Sequence, residues 1–402
     1  MKQKCLNRYN NPHRGCYPNK DTQEGFQSLL FWENRGSRQR RKAIKSMPKV
    51  LVGMSGGVDS AVAAYLLKQQ GYDVIGVTLR IWTSEDGKES RCCEIDDARR
   101  VAMQLGIPYY ALNCIDDFER CVSIPFMEGY IAGKTPNPCV VCNRFVKCDR
   151  LLYYAKIFNA DYVATGHYAF VVQLPNGRYT VKRATHAQKD QTYMLYKLTQ
   201  EHLQKTLMPL GGMSKDEVRA IAKTIDIEVA SKQDSQEICF VTKGTYADYI
   251  KEHYRGDIPG EGNFVDEQGN ILGRHKGIFN YTVGQRKGLE LAFGYPVYVK
   301  EIKADTNEVV LGKADAIYAT SIVCDDVSYM GIDNLGLGET LDCFAKVRYH
   351  HEAQKAKTEA LPDGKIKISF EQPVHAPAPG QSAVFYDDND CVIGGGTIID
   401  AE

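Results

Sequence analysis

Apolar positions fall into a regular order from residue 49 onward. Lys49–Val52 is a short apolar run that predicts a strand. After a glycine-rich gap, Ala61, Ala64, Tyr65 and Leu67 recur at helical spacing, which predicts a helix over Ser60–Gln70. Gly71 stops it, as a glycine just past a helix does. Asp73–Leu79 is apolar and β-branched, a second strand. Strand, helix and strand at this spacing make a βαβ unit and hence a parallel sheet. The pattern continues with a helix at Asp96–Leu105, a strand in "IPYYALNC", helices at Phe118–Ala132 and Asn143–Phe158, and a strand in "ADYVATGHYAF". "SKDEVRAIAKTI" opens on the capping box Ser214-x-x-Glu217 and adds one more helix. Between them, "AFVVQLPNGRYTVKRA" is two β runs around Pro175-Asn176-Gly177, a hairpin on the sheet edge or rim. Residues 47–245 are therefore expected to form an α/β domain with a doubly wound parallel sheet.

Beyond residue 245 the pattern changes. Glycine and proline become frequent in "RGDIPGEGNFVDEQGNILGRHKGIFNYTVGQRKGLE", and short strands replace helices. Residues 246–318 are expected to form a small β-rich central domain. From 319 to 402, "ETLDCFAKVRYH", "GKIKISFEQPV" and "GQSAVFYDDNDCVIGGGTII" predict a C-terminal β-barrel.

Composition adds constraints. The 402 residues carry 50 Lys and Arg against 50 Asp and Glu, yet residues 1–46 hold 11 basic and 3 acidic residues, a surplus of eight. A nucleic-acid partner would have to meet a local basic surface, because no global one exists. That basic segment lacks helical or strand periodicity and the apolar core of a secretory signal. It reads as a disordered extension or an over-called start with the real one at Met47, and an organelle-targeting peptide is the other reading. No apolar run approaches membrane-spanning length. The thirteen cysteines, with no export signal, are expected to be reduced thiols in a cytoplasmic protein. The scattered ones, Cys5, Cys16, Cys114, Cys121, Cys324, Cys343 and Cys391, read as small buried hydrophobes.

Candidate chemistry begins at "GMSGGVDSAV", between the first strand and the first helix. Its glycines admit a phosphate group, and the N–H groups of the loop and helix start attract the anion. Ser55 and Ser60 offer hydroxyls, and Asp59 can hold a Mg²⁺ ion bridging phosphate oxygens. The loop has neither the Gly-Lys-Ser/Thr of a P-loop nor the dinucleotide glycine pattern. It resembles the PP-loop of ATP pyrophosphatases, which cleave ATP between the α and β phosphates and activate a substrate oxygen as an adenylate. Across that superfamily the attacking nucleophile differs, so the cysteines matter.

Two prolines stiffen "TPNPCVVCN" and put Cys142 at or near the expected start of a helix, which favours a thiolate. "SKQDSQEICFV" supplies Cys239, and "ATGHYA" supplies Gly166 and His167. Together with "KDQTYMLY", "GIFNYTVGQRKGL", "KVRYH" and "PGQSAVFY", these blocks resemble the tRNA-specific 2-thiouridylases, the MnmA family, from Lys49 to the C-terminus. The resemblance implies adenylation of the wobble uracil's 2-oxygen with ATP and Mg²⁺. It also implies a persulfide on Cys239, supplied by a sulfur-carrier protein or a cysteine desulfurase, and Cys142 as the nucleophile that ends in a disulfide with Cys239. ATP would be bound by Gly53, Met54, Ser55, Gly56, Gly57, Val58, Asp59, Ser60, Leu79 and Gly166. Asn137, Pro138 and Cys139 would line the target base, extruded from its stack. His167, Lys189, Asp190, Gln191, Arg348, Tyr349 and Gln381 would contact the tRNA at its anticodon stem-loop.

One departure stands out. The family often has an aspartate directly after "TPNP", where this chain has Cys139, and a thiol does not replace a carboxyl in proton transfer. Either another group moves the proton, or Cys139, Cys142 and Cys239 act together, as ligands of an iron–sulfur cluster with one open iron. Structural zinc is disfavoured. Cys148 falls nearly opposite Cys142 on a helix and reads as core, and Cys92-Cys93 lacks a second pair at metal spacing. Two further classes compete: an amide- or amine-forming PP-loop ligase, which needs no paired thiols, and a non-catalytic nucleotide-gated tRNA-binding protein.

Overall fold

A computed structural model of the chain describes residues 47–82, 94–227 and 238–402. The segment before Met47, the Cys92-Cys93 pair and most of "SKQDSQEICFV" lie outside the described residues. The first strand β1 (Lys49–Gly53), helix α1 (Val58–Gln69), strand β2 (Asp73–Arg80), helix α2 (Ile95–Leu105) and strand β3 (Tyr109–Asn113) follow the expected order. With β4 (Tyr162–Ala164) and β7 (Thr206–Leu207) they complete a parallel sheet in the order β3-β2-β1-β4-β7. Strand residues alternate between two apolar layers. Val50 and Val52 pack with Ala61, Ala64, Leu67 and Val101, whereas Leu51 and Val77 pack on the opposite face with Phe118, Val146 and Leu151. Both faces are covered, which is why these strands read as continuous apolar runs.

Several boundaries differ from the expected ones. The strand expected through 160–170 is two. β4 ends at Ala164, and after a turn β5 (Ala169–Gln173) pairs with β6 (Tyr179–Arg183) in a separate hairpin. The helix expected from Phe118 begins earlier, with α3 (Ile115–Phe118), a π-helical turn at Glu119–Ser123 and α4 (Ile124–Ile131). The helix expected from Asn143 begins at Pro138: α5 (Pro138–Cys142) runs through a π-helical turn at Asn143–Cys148 into α6 (Asp149–Ile157). Asn137 caps it, its Oδ1 accepting from Val140 N at 3.4 Å, and Pro138 at the first helical position completes the start signal. Beyond α7 (Gln200–Lys205), the capping box is present at the head of α8 (Lys215–Thr224). Cys121, expected as a reduced thiol, is disulfide-bonded.

After α9 (Tyr246–His253) come β8 (Gly262–Val265), β9 (Ile271–His275), β10 (Tyr298–Lys303) and β11 (Glu308–Gly312), a sheet in the order β10-β11-β8-β9. The last six strands are β12 (Tyr318–Tyr329), β13 (Thr340–Lys346), β14 (Gln354–Ala360), β15 (Ile366–His375), β16 (Ser382–Tyr386) and β17 (Val392–Ala401). They close into a barrel, β12-β15-β14-β13-β16-β17, filled by Ile322, Cys324, Ile366, Ile368, Phe385 and Ile398. β14 hides in the sequence because its inward positions are Ala356, Thr358 and Ala360, alternating with charged residues that face out. The Asn176 hairpin is fastened to the barrel: Asn176 Nδ2 donates to Gly331 O at 2.9 Å and Arg178 Nε to Met330 O at 3.0 Å. Among the described residues, no helix is long and apolar enough to cross a membrane.

One polar cluster at the head of α6 is testable. Asp149 Oδ1 accepts from Arg144 Nη1 at 2.6 Å and lies 2.8 Å from His202 Nε2. Burial alone would raise its pKa, but the His202 hydrogen bond and the Arg144 charge hold the carboxyl below its ordinary value. A carboxyl lowered by folding stabilises the protein above its unfolded pKa of about 3.9, and the effect is lost as pH falls through the folded value. Asp149→Asn should lower the melting temperature by roughly 3–10 °C at pH 7, with the gap to wild type narrowing below about pH 4. Thermal melts across that range that superimpose would refute the assignment.

Candidate active site

The glycine loop leaves the sheet at the carboxyl end of β1, where ligands bind in open α/β sheets. Its exit is pinned by Met54 N to Val77 O at 2.7 Å and by Thr78 Oγ1 to Met54 O at 2.6 Å. Gly56 has φ +79°, and a Cβ there would stand 2.7 Å from Glu94 O, so the position demands glycine. Ser60 Oγ accepts from Ser55 N at 3.1 Å and donates to Gly57 O at 3.1 Å, so this hydroxyl shapes the loop. Gly57, at the N-cap of α1, offers no side-chain acceptor, and the helix start presents its N–H groups toward an anion.

Asp59 lies in the first turn of α1 and is held on two sides. Lys215 Nζ donates to its two carboxylate oxygens at 2.7 and 2.8 Å, and Tyr168 OH donates to Oδ1 at 2.7 Å. Gly166 rests directly on this turn: a Cβ would lie 2.7 Å from Ser60 N and 2.8 Å from Asp59 C. Leu79 is buried near the end of β2, in the same apolar layer as Cys142.

The "ATGHY" and "KDQ" blocks are joined. Gln191 N donates to Tyr168 O at 3.0 Å, and Gln191 Oε1 accepts from Tyr168 N at 2.9 Å. Asp190 is buried and accepts from Ala184 N at 3.1 Å and Thr192 Oγ1 at 2.7 Å, while Lys189 ends the turn before it. His167 Nδ1 lies 2.8 Å from Thr165 Oγ1, and burial pushes the imidazole down to about 3. At neutral pH it is an uncharged hydrogen-bonding group.

The thiol-bearing helix meets the barrel. Thr135 N donates to Pro379 O at 2.7 Å, and Gln381 Nε2 donates to Thr135 O at 2.9 Å. Gly380, at φ +91°, would put a Cβ 2.9 Å from Thr135 N. Tyr349 packs beside Tyr193 on the cluster that includes Val140, and its phenol is raised by burial and then by the charges of Asp190 and Cys139. Arg348 donates to Ala376 O at 3.0 Å and Val283 O at 2.7 Å, tying the barrel to the segment before β10. On the helix itself, the earlier start makes Cys139 the cysteine nearest the N-terminus, correcting the expectation for Cys142. Cys139 is exposed, while Cys142 is 5% exposed. Cys239 is half-buried and packs against the same apolar cluster that contains Cys142. Cys148 points into a different cluster, where burial pushes its thiol up to about 12. Asn143, next to Cys142, donates to Met194 O at 3.1 Å. Sequence reasoning passed over Lys215, Tyr168 and Asn143, and only the capping box drew attention to the first.

Among the described residues, no three His, Cys, Asp or Glu side chains converge as metal ligands. Cys139 is exposed while Cys142 is buried, which disfavours the alternative reading of Cys139, Cys142 and Cys239 as a cluster-ligand set. Magnesium asks less of the protein: one carboxylate together with nucleotide phosphates is its common arrangement. Asp59 fits that role beside the anion-binding turn.

Three family patterns match the chain in succession from residue 48 to residue 398. They are described as tRNA methyl transferase HUP domain over residues 48–243, tRNA methyl transferase PRC-barrel domain over 247–313, and aminomethyltransferase beta-barrel domain over 319–398. A tRNA-specific 2-thiouridylase MnmA from Lachnoclostridium phytofermentans is 52% identical over 360 residues, covering 88% of this chain and 100% of that protein. One from Clostridium perfringens is 51% identical over 356 residues, covering 87% and 98%. Among solved structures, the U34-tRNA thiolase NcsA from Methanococcus maripaludis, with its [4Fe-4S] cluster, aligns with a TM-score of 0.33 at 20% identity, over 51% of this chain and 63% of that one.

Two outcomes follow from the geometry. Brief alkylation of the native protein, mapped by mass spectrometry, should label Cys139 ahead of Cys142; equal labelling would contradict the burial. Gly166→Ala should displace the first turn of α1 and weaken nucleotide binding by about tenfold or more, as measured by titration; unchanged affinity would show that the contact is dispensable.

Proposed function

The chain belongs to the tRNA-specific 2-thiouridylase family, and from that membership we propose that it replaces the 2-oxygen of the wobble uridine of tRNA with sulfur, at the expense of ATP. The uracil oxygen attacks the α-phosphorus of ATP, pyrophosphate leaves, and the resulting adenylate converts a poor leaving oxygen into AMP. Asp59 would hold Mg²⁺ together with the nucleotide, and the ion when bound supplies neutralising charge to the triphosphate. The loop N–H groups and the start of α1 bind the phosphates, while Gly166 and Leu79 border the adenosine.

Cys239 carries the persulfide. The Cys142 thiolate attacks the Cys239 sulfur, expels hydrosulfide and leaves a Cys142–Cys239 disulfide; the hydrosulfide displaces AMP from C2 of the base. The observation that carries this division of labour is the contrast in exposure within one apolar cluster. Half-buried Cys239 can be loaded by a sulfur-carrier protein or a desulfurase. Buried Cys142 is shielded from the donor and meets Cys239 from inside the protein. Asn137, Pro138 and Cys139 border the extruded base, with Cys139 in place of the usual aspartate. His167, Lys189, Asp190, Gln191, Arg348, Tyr349 and Gln381 form or support the tRNA surface, and the bonds of Gln381 and Arg348 within the protein favour support.

Cys239→Ser should abolish 2-thiouridine formation, a loss of at least roughly a hundredfold, while tRNA-dependent exchange of pyrophosphate into ATP persists. Full turnover by this variant would instead identify an amide- or amine-forming ligase.

A further inference from the structure

The helix that carries the thiols holds a buried polar atom that the protein leaves unpaired. Asn143 is 3% exposed, and among the described residues its Oδ1 has no hydrogen-bond partner. The orientation of the amide is fixed by its other end. Nδ2 donates to Met194 O at 3.1 Å, and turning the group over would set oxygen against oxygen. A buried acceptor without a donor is a net cost to folding, and native proteins keep few of them.

The surroundings of this oxygen point to its partner. Asn143 N donates to Cys139 O, so the two residues lie one helical turn apart on a common face. Cys139 is exposed on that face and Asn143 is buried. Met194 joins this face to the helix start: its backbone oxygen holds Asn143, and its sulfur accepts from Asn137 Nδ2 at 3.6 Å. A thioether is a weak acceptor on a flexible side chain, so this contact yields to a better one. Asn137, Pro138 and Cys139 are the residues proposed to border the extruded base, yet they offer it no carbonyl or carboxylate side chain that is free to accept. Asn137 Oδ1 is engaged by Val140 N in the helix cap, and Cys139 stands where an aspartate is usual. The free acceptor on this face belongs to Asn143, one turn further in.

We propose that Asn143 is a specificity-determining residue for the target base: its Oδ1 accepts the N3–H of the extruded uracil, which takes the place of the Met194 side chain. N3–H is the donor on the pairing edge of uracil, and N3 is bonded to the reacting C2, so the same hydrogen bond fixes where C2 lies before adenylation. Cytosine carries no proton on N3 and would turn a lone pair toward the Asn143 oxygen. A site built around a buried acceptor rejects a ligand that lacks the matching donor. The inference rests on the reading of this segment as the target-base site of a tRNA 2-thiouridylase.

The test is binding of anticodon stem-loop RNAs to the full chain, with thermal melts alongside. The nucleotide supplied is α,β-methylene-ATP, which cannot be cleaved between the α and β phosphates. The stem-loops differ only at the wobble position: uridine, cytidine, or 3-deazauridine, which has C–H in place of N3–H at nearly the same size. Wild type should bind the uridine stem-loop about 10–100-fold more tightly than the other two. Asn143→Leu, similar in volume and without an acceptor, should weaken the uridine stem-loop by about that factor and leave the others within about twofold. Wild-type protein that binds the uridine and 3-deazauridine stem-loops equally well overturns the proposal, and this comparison holds even if the variant fails to fold. So does a folded variant that loses affinity for all the stem-loops alike, which would mean that Asn143 only shapes the helix. A wild-type protein that binds no stem-loop would instead overturn the reading of the chain as a tRNA enzyme.

Discussion

The contact on which the site depends is the backbone of Gly166 lying against the first turn of α1. No side chain fits there, because a Cβ would stand 2.7 Å from Ser60 N. The approach brings the end of β4 onto the nucleotide loop. Tyr168 then reaches Asp59, and Gln191 grips Tyr168 through both of its backbone groups. Three segments far apart in the chain thus meet through short hydrogen bonds, and the loop acquires a fixed shape before any ligand arrives. Preorganisation of this kind is what lets backbone N–H groups act on developing charge without rearranging.

A second constraint comes from the barrel. Pro379, Gly380 and Gln381 engage both backbone groups of Thr135, at the entrance to the helix that carries Cys139 and Cys142. Tyr349 packs on the apolar cluster that Val140, in the first turn of that helix, also enters. Any shift of the barrel is therefore felt by the segment that carries the thiols.

The three cysteines of this segment are separated by helical phase. Cys139 is on the exposed face, Cys142 enters the layer beneath the sheet with Cys239, and Cys148 enters the layer shared with the hairpin and the barrel. The π-helical turn between Cys142 and Cys148 widens the helix where the chemistry is proposed, a placement frequent at functional sites.

Local rules in the sequence determined much of this. Apolar periodicity gave the parallel sheet and its helices, because both faces of such a sheet must be buried. The glycine loop announced an anion site, because only glycine tolerates its backbone. That Cys142 and Cys148 face different layers was readable from their spacing on a helix. What remained hidden depends on neighbours distant in sequence. β14 is invisible because its inward positions are Ala356, Thr358 and Ala360, which give no strong apolar alternation. The helix start at Pro138 was missed because "TPNP" also reads as a stiff loop, and only the Asn137 cap decides. The Lys215–Asp59 pair, the grip of Gln381 on Thr135 and the sharing of one cluster by Cys142 and Cys239 are tertiary facts. Each joins residues whose own segments give no sign of a partner, since charge, amide and thiol are all ordinary surface chemistry until the fold removes the water around them.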